Sequence, residues 1–243
     1  MKQNRLATIF GASKVFLPVI HVSSRINPQE QVDLAFRTGA HGVWLICHEH
    51  GDNTRQLLET YRKVRGNTLR WIGLNFLGES DPVSIIQEEL VQEDYPGGLW
   101  IDRGIEEKGP SFNDTELRRF YQRYQSLCPK GILFRGVAFK GQQTTFPSGV
   151  PAAVQAAKTG MDVITTSGPG TGHAPDVAKI AEIHNVANGT PVAIASGMTP
   201  ENVDLFLPHI DAVLVSTGVS KPNTDEFDPE KLTAFARAIG LEP

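Results

Sequence analysis

The chain has 243 residues, of which 40% are hydrophobic and 21% are charged, and its formal net charge is −4. This length and composition fit one globular domain over residues 1–243, and the slightly negative charge provides no overall attraction to nucleic acid or to anionic lipid. No apolar segment approaches the length of a membrane span, and the two cysteines are too far apart for a zinc motif or a disulfide framework, so we expect a cytoplasmic protein.

Short apolar runs alternate along the chain with longer segments that have helical periodicity. Runs of this kind, rich in branched side chains and followed by turn residues, are typical of strands that are buried on both faces. Eight strands are predicted in this way: Val15–Val22, Gly42–Cys47, Trp71–Phe76, Gly98–Asp102, Ile132–Phe139, Asp162–Thr166, Pro191–Ala195 and Ala212–Ser216.

Helices are predicted between these strands from capping residues and from amphipathic stripes. A capping side chain followed by proline marks four helix starts, because proline loses nothing at the first helical position: Asn27-Pro28, Asp81-Pro82, Thr199-Pro200 and Asp228-Pro229. Two apolar stripes at helical spacing are expected to face the sheet: Leu117, Phe120, Tyr121, Tyr124 and Leu127, and then Leu232, Phe235, Ala236 and Ile239.

Eight strand and helix units with short links predict a parallel sheet with right-handed crossovers. Such an α/β sheet has two possible forms. It can close into a single (β/α)8 TIM barrel, or it can remain open as a doubly wound sheet. We favour the barrel, because the strand count is eight and no Gly-x-Gly-x-x-Gly fingerprint follows the first strand. In a barrel, the chemistry is expected at the C-terminal ends of the strands.

The ends of strands seven and eight predict a phosphate site. Ser196 and Gly197 follow the seventh strand, and Thr217 and Gly218 follow the eighth. Glycine lets backbone N–H groups approach an anion closely, and hydroxyl groups add further donors. The alternative is that the glycines only permit tight turns and that Thr199 only caps a helix.

A glycine-rich segment after the sixth strand is longer and more polar than a simple connection requires. Its candidate ligand contacts are Ser167, Gly168, Thr171 and Gly172. We expect it to fold over a ligand; the alternative is a surface loop that ends in a helix cap at Asp176.

Lys140 closes the predicted fifth strand, where its ammonium group would project into the mouth of the barrel. Charge pairing with a substrate phosphate is favoured over Schiff-base formation or proton transfer, since it demands less of the site. The alternative is a solvated surface lysine.

Acid–base groups are expected at the ends of the first four strands. Glu49 and Asp102 are assigned to proton transfer with His21 assisting, and the amide of Asn75 is expected to orient a substrate hydroxyl. A divalent metal held by these acids with His48 or His50 remains an alternative.

Several of these strand ends also carry a family resemblance that spans most of the chain. The motifs are Leu17-Pro18-Val19-Ile20-His21, Trp71-Ile72-Gly73-Leu74-Asn75-Phe76-Leu77, Val137-Ala138-Phe139-Lys140, Thr166-Ser167-Gly168 with Thr171-Gly172, and Ser196-Gly197-Met198-Thr199-Pro200-Glu201-Asn202-Val203. In these segments the chain resembles the BtpA/SgcQ family of barrel proteins, named after a photosystem I biogenesis factor. It departs from that family after the second strand, where Cys47-His48-Glu49-His50-Gly51-Asp52 stands in place of a Glu-Asn-x-Gly-Asp type of ending.

The resemblance implies a barrel similar to those that bind ribulose phosphate and isomerise, epimerise or cleave phosphorylated metabolites. The first functional hypothesis is therefore an isomerase or lyase whose partner is a phosphorylated small molecule and which needs no cofactor. A non-catalytic binding or assembly protein is the second hypothesis, and a barrel that binds flavin mononucleotide (FMN) is the third. Neither nucleic acid nor a membrane is expected as a partner, and a homo-oligomer remains open.

Overall fold

The computed structural model describes residues 4–49, 52–105, 114–140 and 150–242. Eight parallel strands pair in chain order, and β8 returns to β1, so that the sheet is a closed barrel. The strands are β1 Val15–Val22, β2 Val43–Cys47, β3 Ile72–Asn75, β4 Gly98–Ile105, β5 Ile132–Val137, β6 Val163–Thr166, β7 Val192–Ala195 and β8 Ala212–Val215. The predicted barrel is confirmed, and the open sheet is excluded.

Strand ends differ from the predicted bounds at a few positions. β5 ends at Val137 and not at Phe139, because Ala138 has a φ of 48°, which is incompatible with an extended strand. Lys140 therefore lies in the loop after β5. β4 continues to Ile105, beyond the predicted end at Asp102, and its pairing with β5 shifts register there.

Helices cover the outside of the barrel, and one more helix precedes β1. They are α1 Arg5–Phe10, α2 Pro28–Arg37, α3 Asn53–Arg65, α4 Pro82–Glu89, α5 Asp114–Leu127, α6 Val150–Thr159, α7 Val177–Val186 and α8 Pro229–Ala238. The side chains of Asn27, Asp81, Asp176 and Asp228 accept hydrogen bonds from first-turn N–H groups, which confirms those caps. Both predicted apolar stripes pack against the core.

The helix predicted at Thr199-Pro200 is wrong. This segment forms a turn and then two short 3-10 helices, Val203–Leu205 and Leu207–His209. Pro208 interrupts the backbone ladder of any longer helix, since it has no N–H to donate. The Asn202 side chain instead accepts a hydrogen bond from the Thr199 N–H and donates one to the Gly197 carbonyl, so the turn after β7 is fixed locally.

The interior of the barrel is filled by large aromatic side chains. Trp44 is completely buried, and its ring lies 5.1 Å from Trp71, 5.8 Å from Trp100 and 5.0 Å from Phe134, measured between centroids. A Cβ atom at Gly73 would lie 2.3 Å from the Trp44 ring, so glycine on β3 provides the space for that tryptophan. At the N-terminal end, α1 packs against this interior cluster. Among the described residues, no helix combines the length and apolar character needed to cross a membrane.

Candidate active site

A cavity of about 320 Å³ opens at the C-terminal ends of the strands. Its apolar floor includes Val19, Ile46, Leu77, Trp100 and Leu214. Its polar walls are formed by His21, His48, Asp102, Lys140, Thr171, Ser196, Gly197, Ser216, Thr217 and Gly218. The barrel therefore brings together eight of the thirteen residues predicted for the site.

The ends of β7 and β8 contribute residues with unpaired backbone N–H groups to the cavity wall. Within the described part of the chain, the N–H groups of Gly197, Thr217 and Gly218 have no hydrogen-bond acceptor. Gly197 has a φ of 74°, and the preceding Ser196 has a φ of 104°, which is rare for a residue with a side chain. Unpaired donors in such a turn form a concave surface suited to an anion.

Loop packing also requires glycine at these positions. A Cβ atom at Gly197 would lie 2.2 Å from the backbone N of Ala174, and one at Gly218 would lie 1.9 Å from the Met198 carbonyl oxygen. Close packing alone therefore explains why glycine is required at these two positions, as the alternative of tight turns proposed. The unpaired N–H groups are a separate observation that close packing does not account for.

We expect Gly197→Ala to destabilise the protein by about 3 kcal/mol or more, because it combines a left-handed backbone with a backbone collision. Gly189→Ala is the matched control: Gly189 has a φ of 79°, but nothing lies within 4 Å of the position that a Cβ atom would take there. It should cost only about 1–2 kcal/mol. Urea denaturation of both variants measures the difference, and equal losses would contradict the steric explanation.

The segment after β6 is fastened to its neighbours mainly by hydrogen bonds. Ser167 is buried; its hydroxyl accepts from the Lys140 N–H at 2.7 Å and donates to the Gly168 carbonyl at 2.9 Å. The Gly172 N–H donates to the Ser196 hydroxyl at 3.1 Å, and that hydroxyl donates to the Gly170 carbonyl. Ser167, Gly168 and Gly172 do not line the cavity, so their observed contacts hold the loop in place.

Lys140 and Thr171 lie together in the cavity wall. The Lys140 ammonium donates to the Thr171 hydroxyl at 3.1 Å, and its nitrogen lies 5.8 Å from the centroid of the Phe139 ring. The Ser167 hydroxyl, which receives the Lys140 N–H, fixes the backbone at this point. The position is the one predicted for charge pairing with a ligand.

Asp102 is held from behind by Asn75. The Asn75 amide donates to Asp102 Oδ1 at 2.9 Å; Asn75 is buried and does not line the cavity. Burial raises the pKa of Asp102, while the Asn75 hydrogen bond and the charge of Lys140 act in the opposite direction. Asn75 therefore orients the Asp102 carboxyl group. The prediction was that its amide would orient a substrate hydroxyl.

His21 and His48 lie side by side, with ring centroids 4.9 Å apart. Burial lowers the pKa of His21; the Asp225 carboxylate raises it and the Lys140 charge lowers it. Burial also lowers the pKa of His48, to about 4, assisted by the charges of His21 and Lys140. Burial therefore favours the neutral form of both rings.

Glu49 does not line the cavity. Its carboxylate accepts hydrogen bonds from the Ser24 N–H at 3.2 Å and from the Gln56 side-chain amide at 3.1 Å, and these bonds lower its pKa. His50 lies outside the described residues. Among the residues that are described, no three His, Cys, Asp or Glu side chains converge as a metal site.

Asp225 is a site residue that the sequence reasoning missed. It follows β8 by ten residues, in a polar loop where an aspartate next to other acidic residues gives no signal that distinguishes it from a turn residue. Its carboxylate Oδ1 lies 3.4 Å from Nδ1 of His21.

Comparison with solved structures finds the same TIM-barrel fold in several proteins. Phosphoribosyl anthranilate isomerase from Thermus thermophilus has a TM-score of 0.61 at 15% identity, with 93% of this chain and 98% of that chain covered. Tryptophan synthase from Mycobacterium tuberculosis has a TM-score of 0.69 at 9% identity, covering 99% and 100%. (S)-3-O-geranylgeranylglyceryl phosphate synthase from Thermoplasma acidophilum has a TM-score of 0.63 at 13% identity, covering 96% of both chains.

Similarity to curated proteins is confined to a short segment. The photosystem I biogenesis protein BtpA of Synechocystis sp. is 30% identical over 80 residues, which are 32% of this chain and 28% of that protein. No protein-family model matches the chain. The comparisons thus show the TIM-barrel fold over nearly the whole chain, whereas the likeness to BtpA covers only 80 residues.

Proposed function

We propose that this chain is an enzyme that binds a phosphorylated small molecule and catalyses proton transfer on it, as an isomerase or a lyase does. One observation carries the proposal. A single cavity has unpaired backbone donors on the wall of β7 and β8, and it has Lys140, Asp102 and His21 on its other walls.

A phosphate group is proposed to bind against Gly197, Thr217 and Gly218. Their N–H groups are unpaired within the described chain, and the Thr217 hydroxyl adds a further donor. Because the whole chain is weakly acidic, attraction to an anion has to come from local groups, and among the described residues that line this cavity Lys140 is the cationic one. Ligand contact by Thr171 follows from its hydrogen bond to that lysine.

Asp102 and His21 are proposed as the proton-transfer groups. Burial raises the pKa of Asp102 and lowers the pKa of His21, and both shifts favour the neutral form of the side chain. A neutral base and an acid that can hold a proton can act together at one substrate. Glu49 takes no part in this proposal, since its carboxylate is used to connect the loops after β1 and β2.

The names of the similar structures support the substrate class. One acts on phosphoribosyl anthranilate and another was solved with sn-glycerol-1-phosphate. On that basis we propose a phosphorylated ligand for this chain. We also propose, from the 80-residue match to BtpA, that the chain is a BtpA-like barrel. That match also favours a second candidate, a non-catalytic binding protein, because the relative is named for biogenesis. Turnover of a bound phosphorylated compound would separate the two.

Lys140→Met is expected to weaken binding of inorganic phosphate by about 10- to 100-fold, because it removes a charge-assisted contact. Lys158→Met removes the same charge from exposed residue 158 on α6 and should leave binding unchanged. Calorimetric titration at several salt concentrations measures both variants. Equal phosphate affinity in wild type and Lys140→Met would remove Lys140 from the site.

A further inference from the structure

The loop after β8 carries Asp225 on a small structured hairpin. Ser220 and Phe227 form an antiparallel bridge at its base, and Lys221 pairs with Glu226 at 2.7 Å. The buried Phe227 is anchored because its N–H donates to the side-chain oxygen of Gln31 at 2.7 Å. The hairpin is thus attached to α2 as well as to β8, which gives Asp225 a defined position.

The geometry points to Asp225 as a positioning residue for His21: its carboxylate, 3.4 Å from Nδ1, keeps the proton on that nitrogen and leaves Nε2 as the acceptor. This inference rests on the proposed function, in which His21 is the base. A histidine with an unassigned tautomer is a poor base, because either nitrogen can carry the proton. A carboxylate on one nitrogen removes that ambiguity.

The surroundings of His21 show why an anion is needed there. The ring of His48 from the end of β2 lies 4.9 Å away, and the ammonium group of Lys140 from the β5 loop is close enough to disfavour a second positive charge. Asp225, from the β8 loop, is the negative group that opposes them. When Nε2 takes a proton from the substrate, the resulting imidazolium is paired with the Asp225 carboxylate, 3.4 Å from Nδ1, and the proton then returns to the substrate at another atom.

NMR titration of the histidine ring signals tests this arrangement without a known substrate. In Asp225→Asn, which keeps the shape but loses the charge, the titration midpoint of His21 should move to lower pH, since the group that raises its pKa has gone. His41 serves as an internal reference, because its Nδ1 accepts the Phe16 N–H at the opposite end of β1. Glu226→Gln is the matched control: it removes the Lys221 partner in the same hairpin and should leave the His21 midpoint in place.

A His21 midpoint that stays unchanged in Asp225→Asn, or that moves equally in Glu226→Gln, would overturn the positioning role. Inorganic phosphate binding, measured on the same samples, distinguishes this failure from failure of the proposed function. If phosphate binds and the midpoint does not move, only the role of Asp225 is lost. If the midpoint moves and phosphate does not bind wild type, the His21–Asp225 pairing stands and the phosphate site is wrong.

Discussion

Replacing Asp102 with asparagine is expected to lower turnover by about 10²- to 10⁴-fold, the range that general acid–base catalysis contributes. The new amide keeps the shape of the side chain, and its oxygen can still accept the hydrogen bond that Asn75 now donates to Asp102 Oδ1 at 2.9 Å. The substitution removes the titratable proton and the negative charge of the ionised form. Substrate affinity should therefore change much less than the turnover number.

The measurement begins with a thermal-shift screen of phosphorylated metabolites on the wild-type protein, since a ligand that binds the native state raises its melting temperature. Compounds that bind are then assayed for turnover. Glu49→Gln is the control, because its carboxylate lies outside the cavity and contacts Ser24 and Gln56. Full activity in Asp102→Asn would eliminate the acid–base role, and loss of activity only in Glu49→Gln would reverse the two assignments.

The contrast between His48 and Glu49 shows what the sequence could predict at this site. The end of β2 was identified correctly, because a short apolar run followed by polar residues is a local signal. Which of two adjacent residues faces the cavity depends on strand phase, since successive side chains point in opposite directions. His48 lines the cavity and Glu49 does not, although Glu49 was the residue predicted for proton transfer and His48 was named only as a possible metal ligand.

Asn75 and Ser167 illustrate a second limit. Both lie at or just after strand ends, as predicted, but both are buried behind the residues that line the cavity. Asn75 supports Asp102, and Ser167 supports the Lys140 backbone. A sequence pattern locates polar residues near a site, but it does not separate residues that face the ligand from those that hold them in place.

Asp225 could not be assigned from sequence, because its position depends on long-range packing. The hairpin that carries it is fixed by a bond from Phe227 to Gln31, almost two hundred residues earlier. By contrast, the eight strands could be predicted, because the sequence signal of each strand, like that of most helix caps, lies within a few neighbouring residues. The helix predicted at Thr199-Pro200 is wrong although its cap signal is equally local, because a cap signal does not include the effect of Pro208 further along the chain.

Trp44→Ala is expected to destabilise the protein by about 3–5 kcal/mol, since it removes a completely buried indole and leaves a cavity that the closed barrel cannot fill by collapse. Trp44→Phe should cost less, because phenylalanine fills most of the space and the Trp44 indole nitrogen has no hydrogen-bond partner among the described residues. Leu205→Ala, at a side chain that is 58% exposed, is the surface control.

The loss should also reach the proposed active site. The Trp44 ring packs against Trp100, whose side chain lies in the cavity floor and against Phe139, the residue before Lys140. Removal of the indole leaves Trp100 unsupported on one side, so the wall that carries Lys140 loses part of its rigid backing. We therefore expect Trp44→Ala to weaken inorganic phosphate binding even at temperatures where it remains folded, and Trp44→Phe to preserve it.

Urea denaturation and phosphate titration of the three variants test both effects. Stability of Trp44→Ala equal to that of Leu205→Ala would show that the interior is not packed as described, and unchanged phosphate affinity in folded Trp44→Ala would separate the aromatic core from the site.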